Sequence, residues 1–444
     1  MSETFIFDRY KADLEQGVVS FTYKLYHGKD HYVFTEKLHV PQNSRIVQKE
    51  LLDAVLQSVH LALGISYWKL YCPRDIRFES YSLSKDQAAF WKTVYTKGLG
   101  EFYFQNKIDF RELINVPFDK DVESQTYAYR FQNRSLVGIG GGKDSIVTAE
   151  LLKKQDKPFD GFIVETQQQY PLIDEVTAAL NIRTVKIQRT IDFQLFQLNE
   201  QKDVWNGHVP VSCLYAFIGI MAAVLYDYAY VIVSNEQTAN SGNLTYLGET
   251  INHQWSKSSE FEGLLQKYIR ENITPDSTYF SLLRPFTELK IVELFSQMPF
   301  YHLIFSSCNT NFRIHKTIQS RWCGSCAKCA FVFALCAAYL SYAEIMAIFG
   351  SNYFEKPELL PLYKKLLGTE GIKPFECVGT PEEVKVAFLL SHKKGAYDDS
   401  LTMQYFINEV LGTMRDPERM EKHVLTVQKT ALIPDEFQSI ISYS

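Results

Sequence analysis

The sequence predicts an α/β protein built on a doubly wound, mostly parallel sheet, with an N-terminal α+β domain and a helical C-terminal region. Three observations carry that reading. From residue 135, short continuous apolar runs alternate with helical segments, the pattern of parallel strands covered on both faces. Before it, two strand-like segments flank a short Gly-containing turn, as in a β-hairpin. After residue 350 the chain is largely helical and polar-faced. The corresponding boundaries are 1–130, 131–350 and 351–444, and a chain of 444 residues suits two or three domains.

Each element has a local reason. Within residues 1–115, VVSFTYKLYH and HYVFTEKLHV surround Gly28-Lys29-Asp30 and form the hairpin, and residues 46–63 follow with helical apolar spacing. Residues 116–134 are polar and irregular and read as a connection. SLVGI, FDGFIVET, IRTVKIQ, YVIVS and LIFSSC then read as strands. SIVTAELLKK, PLIDEVTAAL, PVSCLYAFIGIMAAVLY and the stretch around TELKIVELFSQ read as helices. Sheets of this kind bind ligands beyond the carboxyl ends of their strands. The residues after SLVGI, FIVET and YVIVS are therefore the candidate site.

Composition narrows the function. Hydrophobic residues make up 46% of the chain and aromatic ones 14%, enough for a packed core. A net charge of −5 and a pI near 6.1 lack the basic excess that gripping long nucleic acid demands, so no nucleic-acid partner is expected. The start, MSETFIFDRYKADLEQ, has no basic stretch followed by an apolar one, which points to a cytoplasmic protein. Two apolar stretches, 213–233 and 330–348, are interrupted by Asp227 and Glu344; the first reads as a core helix as far as Tyr226 followed by the buried strand YAYVIV, and no membrane association is expected.

The strongest local signal is Gly140-Gly141-Gly142-Lys143-Asp144-Ser145, between a strand and a helix. Three glycines let backbone approach a ligand closely. The amides opening the helix then face an anion, with the helix dipole favouring negative charge. Lys143 adds a cation and Ser145 a hydroxyl donor. The spacing is neither that of a Walker A loop nor GxGxxG. The bland alternative is a flexible turn capped by Asp144 or Ser145.

Four of the eight cysteines cluster as Cys308-x14-Cys323-x2-Cys326-x2-Cys329. In a long chain without a leader, such spacing points to a metal rather than to disulfides. Four thiolates suit a closed, structural Zn²⁺ site. An iron–sulfur cluster and a redox CxxC are the alternatives, and nothing in the sequence suggests electron transfer. Cys72, Cys213, Cys336 and Cys377 are scattered, mostly among apolar residues, and read as reduced core thiols.

The loop GGGKDS resembles the SGGxDS loop of the PP-loop (N-type) ATP pyrophosphatase superfamily, whose fold is adenine nucleotide alpha-hydrolase-like. Its members include GMP synthetase, argininosuccinate synthetase, tRNA thiolases and 7-cyano-7-deazaguanine synthase, the last with a similar cysteine cluster. Gly140 departs from the pattern by standing where the family has Ser. The resemblance implies ATP with Mg²⁺, and pyrophosphate held by Gly140, Gly141, Gly142, Lys143, Asp144 and Ser145. A closer resemblance, over about 130–380, lies in SNEQTANSGN (Ser234 to Asn243), NHQWSKS (Asn252 to Ser258), KPFECVG (Lys373 to Gly379) and RWCGSCAKCAFVF. These are similar to the UDP-MurNAc-L-Ala-L-Glu epimerases. Read alone, SNE and NHQWSKS are polar loops and helix caps.

That family implies ATP-dependent inversion of the terminal L-Glu of a small-molecule UDP-muramoyl dipeptide, through an acyl-adenylate and with release of AMP and pyrophosphate. A carboxylate beside Cα resists deprotonation, and adenylation removes its charge. His253, Glu236 and Lys257 are the candidate acid/base residues, with His253 foremost because an ordinary imidazole titrates near neutral pH. Ser234, Asn235, Asn243, Asn252 and Ser256 are the candidate substrate-binding residues. Two other readings stand beside this one. A PP-loop enzyme adenylating a tRNA base or a deazapurine would share the loop and the cysteines, and the missing basic excess counts against tRNA. A non-catalytic ATP-binding protein would not need the intact Lys-Asp-Ser.

Overall fold

The computed structural model describes residues 3–42, 45–314 and 320–442. Its strands are β1 (Thr4–Asp13), β2 (Val18–His27), β3 (Asp30–His39), β4 (Asp75–Phe78), β5 (Ser135–Gly138), β6 (Phe159–Thr166), β7 (Thr184–Thr190), β8 (Tyr230–Val233), β9 (Leu244–Tyr246), β10 (Glu249–Ile251) and β11 (Thr278–Ser281). Nine of them form one sheet in the order β11-β8-β5-β6-β7-β3-β2-β1-β4, while β9 and β10 pair separately. From β11 to β7 every pairing is parallel. The β7–β3, β3–β2 and β2–β1 pairings are antiparallel, and β4 joins β1 in parallel.

The parallel strands read as continuous apolar runs because both faces are covered. Leu136, Phe162, Val231 and Tyr279 point into a core shared with helices Lys49–Trp68 and Val211–Tyr226. Their sequence neighbours Val137, Ile163, Ile232 and Phe280 point into a second core with helices Lys143–Lys154, Glu288–Ser296, Ala327–Tyr339 and Pro381–Lys394. Residues after 356 are mainly helical. Among the described residues, no helix is long and apolar enough to cross a membrane.

The expected hairpin forms, with His27 opposite Asp30 and Gly28 at φ +61° in the turn. β1 has no counterpart in the sequence reading. LIFSSC is not a strand: Leu303 is 59% exposed, and the segment follows a 3₁₀ turn, Pro299–Tyr301. Its Ser306 N–H donates to the Gly141 carbonyl at 3.0 Å rather than to a ladder. The outer parallel strand is instead the four-residue β11, in which Tyr279 and Phe280 alone make the apolar run between Thr278 and Ser281.

The two halves of the sheet meet where β3 pairs β7. There Glu36, 0% exposed, accepts from Arg189 Nε at 2.6 Å and from the Tyr67 hydroxyl at 2.8 Å. Breaking a buried pair strands the remaining charge, a loss of about 3–5 kcal/mol. Glu36→Gln is therefore expected to destabilise the fold by about that much, read as a lowered urea midpoint with an unchanged m-value. Wild-type stability in this variant would show that the seam does not depend on the pair.

Candidate active site

The parallel strands appear in the order 5-4-1-2-3 of their sequence, so the winding reverses between β5 and β8. Crevices beyond the carboxyl ends of strands at such a switch point are where doubly wound sheets bind ligands. The Gly140–Ser145 loop leaves β5, and Ser234, Asn235 and Glu236 leave β8, so these two segments share that crevice. Gly141 adopts φ +78°, a conformation that favours glycine. A Cβ on Gly142 would meet Ser307 Oγ at 2.8 Å, so the neighbouring segment packs directly on the loop. Gly142 caps helix Lys143–Lys154, and Ser145 Oγ donates back to the Gly142 carbonyl at 3.0 Å.

Behind the loop lies a buried ion-pair cluster. The Lys143 ammonium, 0% exposed, is bonded to both Asp144 and Glu288. Glu288 also receives Lys328 Nζ at 3.0 Å. Burial opposes the charge on Glu288, but the two lysines outweigh it and hold the carboxyl down at about 2. Glu236, only 4% exposed, faces the same cluster. Burial, reinforced by Glu288 and Asp144, lifts its carboxyl to about 7 against the pull of Lys257 and Lys328. Sequence reading missed Glu288, which opens an apolar helix with no local motif, and Lys328, although it lies inside the cysteine motif.

Arg284 frames this crevice. Its guanidinium bonds Glu262 through Nε at 2.9 Å, and donates to the Glu236 carbonyl at 2.7 Å and the Lys257 carbonyl at 2.6 Å. Of the expected substrate-binding residues, Asn235 lines the crevice, Ser234 bonds Thr148 at 2.8 Å, and Ser256 is buried. Asn243 accepts from His253 N–H at 3.0 Å and donates to the Lys373 and Pro374 carbonyls. Asn252 donates to the Ala239 carbonyl at 2.8 Å and accepts from Gln254 N–H. The side chains of both asparagines thus brace the site backbone.

Those bonds lay segment 373–378 across the loop that carries His253 and Lys257, with Gln254 Nε2 donating to the Val378 carbonyl at 3.3 Å. Cys377, read from sequence as a core thiol, is instead a half-buried thiol hydrogen-bonded to His253 and to Lys257. Burial opposes its ionisation, but Lys257 and His253 outweigh it and bring the thiol down to about 6. His253 also bonds Glu101, whose same oxygen lies 3.2 Å from His208 Nδ1. Burial works against the His253 charge, yet Cys377 and Glu101 raise it to about 9. Burial and the neighbouring His253 push His208 down to about 3, so only one of the two imidazoles is charged. Glu101 and His208 come from segments far from any motif. The signal for Cys377 was present in KPFECVG.

The four clustered cysteines converge, their sulfurs all within 4.8 Å of one another and Cys323 3.7 Å from Cys329. Four thiol ligands at that spacing fit a tetrahedral metal. The cluster braces the crevice from one side. Ser306, beside Cys308, holds Gly141, and Lys328, between Cys326 and Cys329, reaches Glu288. Glu376 bonds Lys328 N–H and Asn309 Nδ2, both at 2.9 Å, which joins the cluster to the Cys377 segment. Next to Gly140, an apolar cavity of about 310 Å³ opens between Phe162, Tyr170, Tyr215 and Tyr279.

A glycine loop at a helix N-terminus, set against buried ion pairs at the switch point of a doubly wound sheet, defines an α/β protein equipped to hold an anionic ligand beside titratable groups. Two family models match the chain, the MurL N-terminal domain over residues 1–282 and the MurL C-terminal domain over residues 304–421. The chain belongs to the MurL family. It is 34% identical over 92% of its length to a UDP-N-acetyl-alpha-D-muramoyl-L-alanyl-L-glutamate epimerase of Micromonospora sp. (strain ATCC 39149 / NRRL 15099 / SCC 1413), covering 91% of that protein. Proteins of the same name from Xanthomonas oryzae pv. oryzae (31% identical over 97% of the chain and 95% of the relative) and Salinispora tropica (34% over 92% and 89%) match as fully.

Proposed function

We propose that the protein is an ATP-dependent epimerase of PP-loop type, which converts the terminal L-Glu of UDP-MurNAc-L-Ala-L-Glu to D-Glu in the cytoplasm. The observation that carries this reading is the placement of the glycine loop and Glu236 on either side of one switch point, in a chain whose relatives bear that epimerase name. Nothing within 4 Å would meet a Cβ on Gly140, so the serine of the PP-loop pattern would fit there and glycine is not sterically required.

The chain's own groups divide the work. Loop amides and Ser145 hold the pyrophosphate portion of ATP at the helix N-terminus, and preorganised donors of this kind favour the leaving anion. Asp144 would hold Mg²⁺, which would supply charge neutralisation there. The apolar cavity beside Gly140 takes the adenine. Attack of the glutamyl carboxylate on the α phosphorus removes the negative charge next to Cα, and its proton becomes far more acidic. Glu236, near 7, can give or take a proton at working pH. His253 and Lys257 are both held protonated, which suits them to donate protons or to steady negative charge. The cysteine cluster would hold zinc with no open position, as a brace.

Incubation with ATP and UDP-MurNAc-L-Ala-L-Glu is expected to yield AMP and pyrophosphate, and D-Glu after hydrolysis and chiral separation. Conversion without ATP would remove the adenylation step. ATP cleavage driven by a tRNA or a deazapurine instead would assign the loop to another reaction.

A further inference from the structure

The acid/base nominees above leave one group unused. Cys377 neighbours both His253 and Lys257, and Lys257 also neighbours Glu236. A thiol and a carboxyl thus share one lysine as neighbour. Arg284 holds the backbone of both Glu236 and Lys257, so the main-chain positions that carry these two side chains are tied to one another. A second observation lies in the loop that carries His253 and Lys257. Gln254 is 2% exposed, gives its Nε2 to Val378 and leaves its Oε1 without a partner among the described residues. An unmatched buried acceptor is unfavourable by about 1–3 kcal/mol. A peptide N–H of a bound ligand would satisfy it.

We propose that Cys377 is a catalytic residue that exchanges the Cα proton of the activated glutamyl residue on one face, with Glu236 serving the other. The inference rests on the adenylation reading. In one direction the Cys377 thiolate takes the Cα proton, forming S–H, while the C–H electron pair moves into the activated carbonyl as an enolate. The Glu236 carboxyl then gives its proton to the opposite face, and the enolate pair forms the new C–H bond. The thiol and carboxylate left behind return to their starting forms by exchange with solvent. No oxidant or further reactant is needed. The flanking cations explain why a thiolate persists here, since Lys257 and His253 both favour the charged form.

The test uses the full-length enzyme in D₂O with the muramoyl dipeptide and ATP, following deuterium at Cα by chiral separation and mass spectrometry and, separately, ATP–pyrophosphate exchange. Cys377→Ser is expected to lose formation of inverted, Cα-deuterated glutamate by on the order of 10²–10⁴-fold, the usual contribution of a positioned acid or base. It should keep pyrophosphate exchange. Inverted, deuterated product forming at the wild-type rate would overturn the assignment. Parallel loss of pyrophosphate exchange with an unchanged melting temperature would make Cys377 a binding residue, and would also overturn it. If Cys377→Ser does not fold, iodoacetamide decides on the wild type. Alkylation of Cys377, located by peptide mapping, should stop formation of inverted, deuterated product and be blocked by dipeptide plus ATP; lost product with Cys377 unmodified counts against the proposal. Wild-type enzyme showing neither exchange reaction with the dipeptide would instead remove the underlying epimerase reading.

Discussion

Asp144→Ala is expected to abolish AMP release and epimerisation together, each by on the order of 10³-fold or more, while leaving the fold intact. The carboxylate sits in the first turn of the helix that the glycine loop opens, and its side chain is 23% exposed, so it can reach a ligand in the crevice. Losing a group that holds a neutralising metal at the leaving phosphate removes several kcal/mol of transition-state stabilisation. Lys143 loses one partner and then shares Glu288 with Lys328, so the cluster keeps a carboxylate against both ammoniums and the fold persists, with a lowered melting temperature. Pyrophosphate release and chiral analysis of glutamate check both activities. Epimerisation surviving without AMP release would separate the loop from the chemistry.

Cys326→Ser is expected to have the largest effect on stability. The cysteine cluster is tied to the glycine loop through Ser306 and Gly141, and to the buried ion pairs through Lys328 and Glu288. Losing the metal would release both anchors at once. Binding at such sites contributes to folding directly, on the order of 10 kcal/mol in small zinc domains, and even part of that is comparable with the whole stability of a domain. The purified protein should carry one zinc per chain and be colourless. The variant should lose the metal, melt well below the wild type and fall out of solution on mild heating. Elemental analysis with a thermal melt measures all of this. A brown protein with visible absorption would mean an iron–sulfur cluster, and wild-type melting of a metal-free variant would deny the site a structural role.

Much of this architecture is written locally. Apolar runs such as FDGFIVET and YVIVS announce strands covered on both faces, because alternate side chains enter the two cores flanking one sheet. The glycine loop is legible since only glycine takes φ +78° at Gly141 without strain. The cysteine spacing is legible because thiolates three residues apart can reach one ion. LIFSSC shows the limit of such reasoning. An apolar run is compatible with a strand, yet whether it pairs depends on which neighbour is free, and here the Gly141 carbonyl takes its amide.

The sequence by itself therefore determined the alternation of strands and helices, the glycine loop at a helix N-terminus and the cysteine cluster, all of which are properties of short segments. Only the tertiary structure decided that β3 joins β7 to continue one sheet, and that Glu288, Lys328, Glu236, Lys257, His253, Glu101 and Cys377 form one network around the crevice. These residues come from segments up to 276 positions apart, from Glu101 to Cys377. Charge and hydrogen bonding act through space over a few ångströms, so no periodicity or spacing along the chain could show which of them would meet.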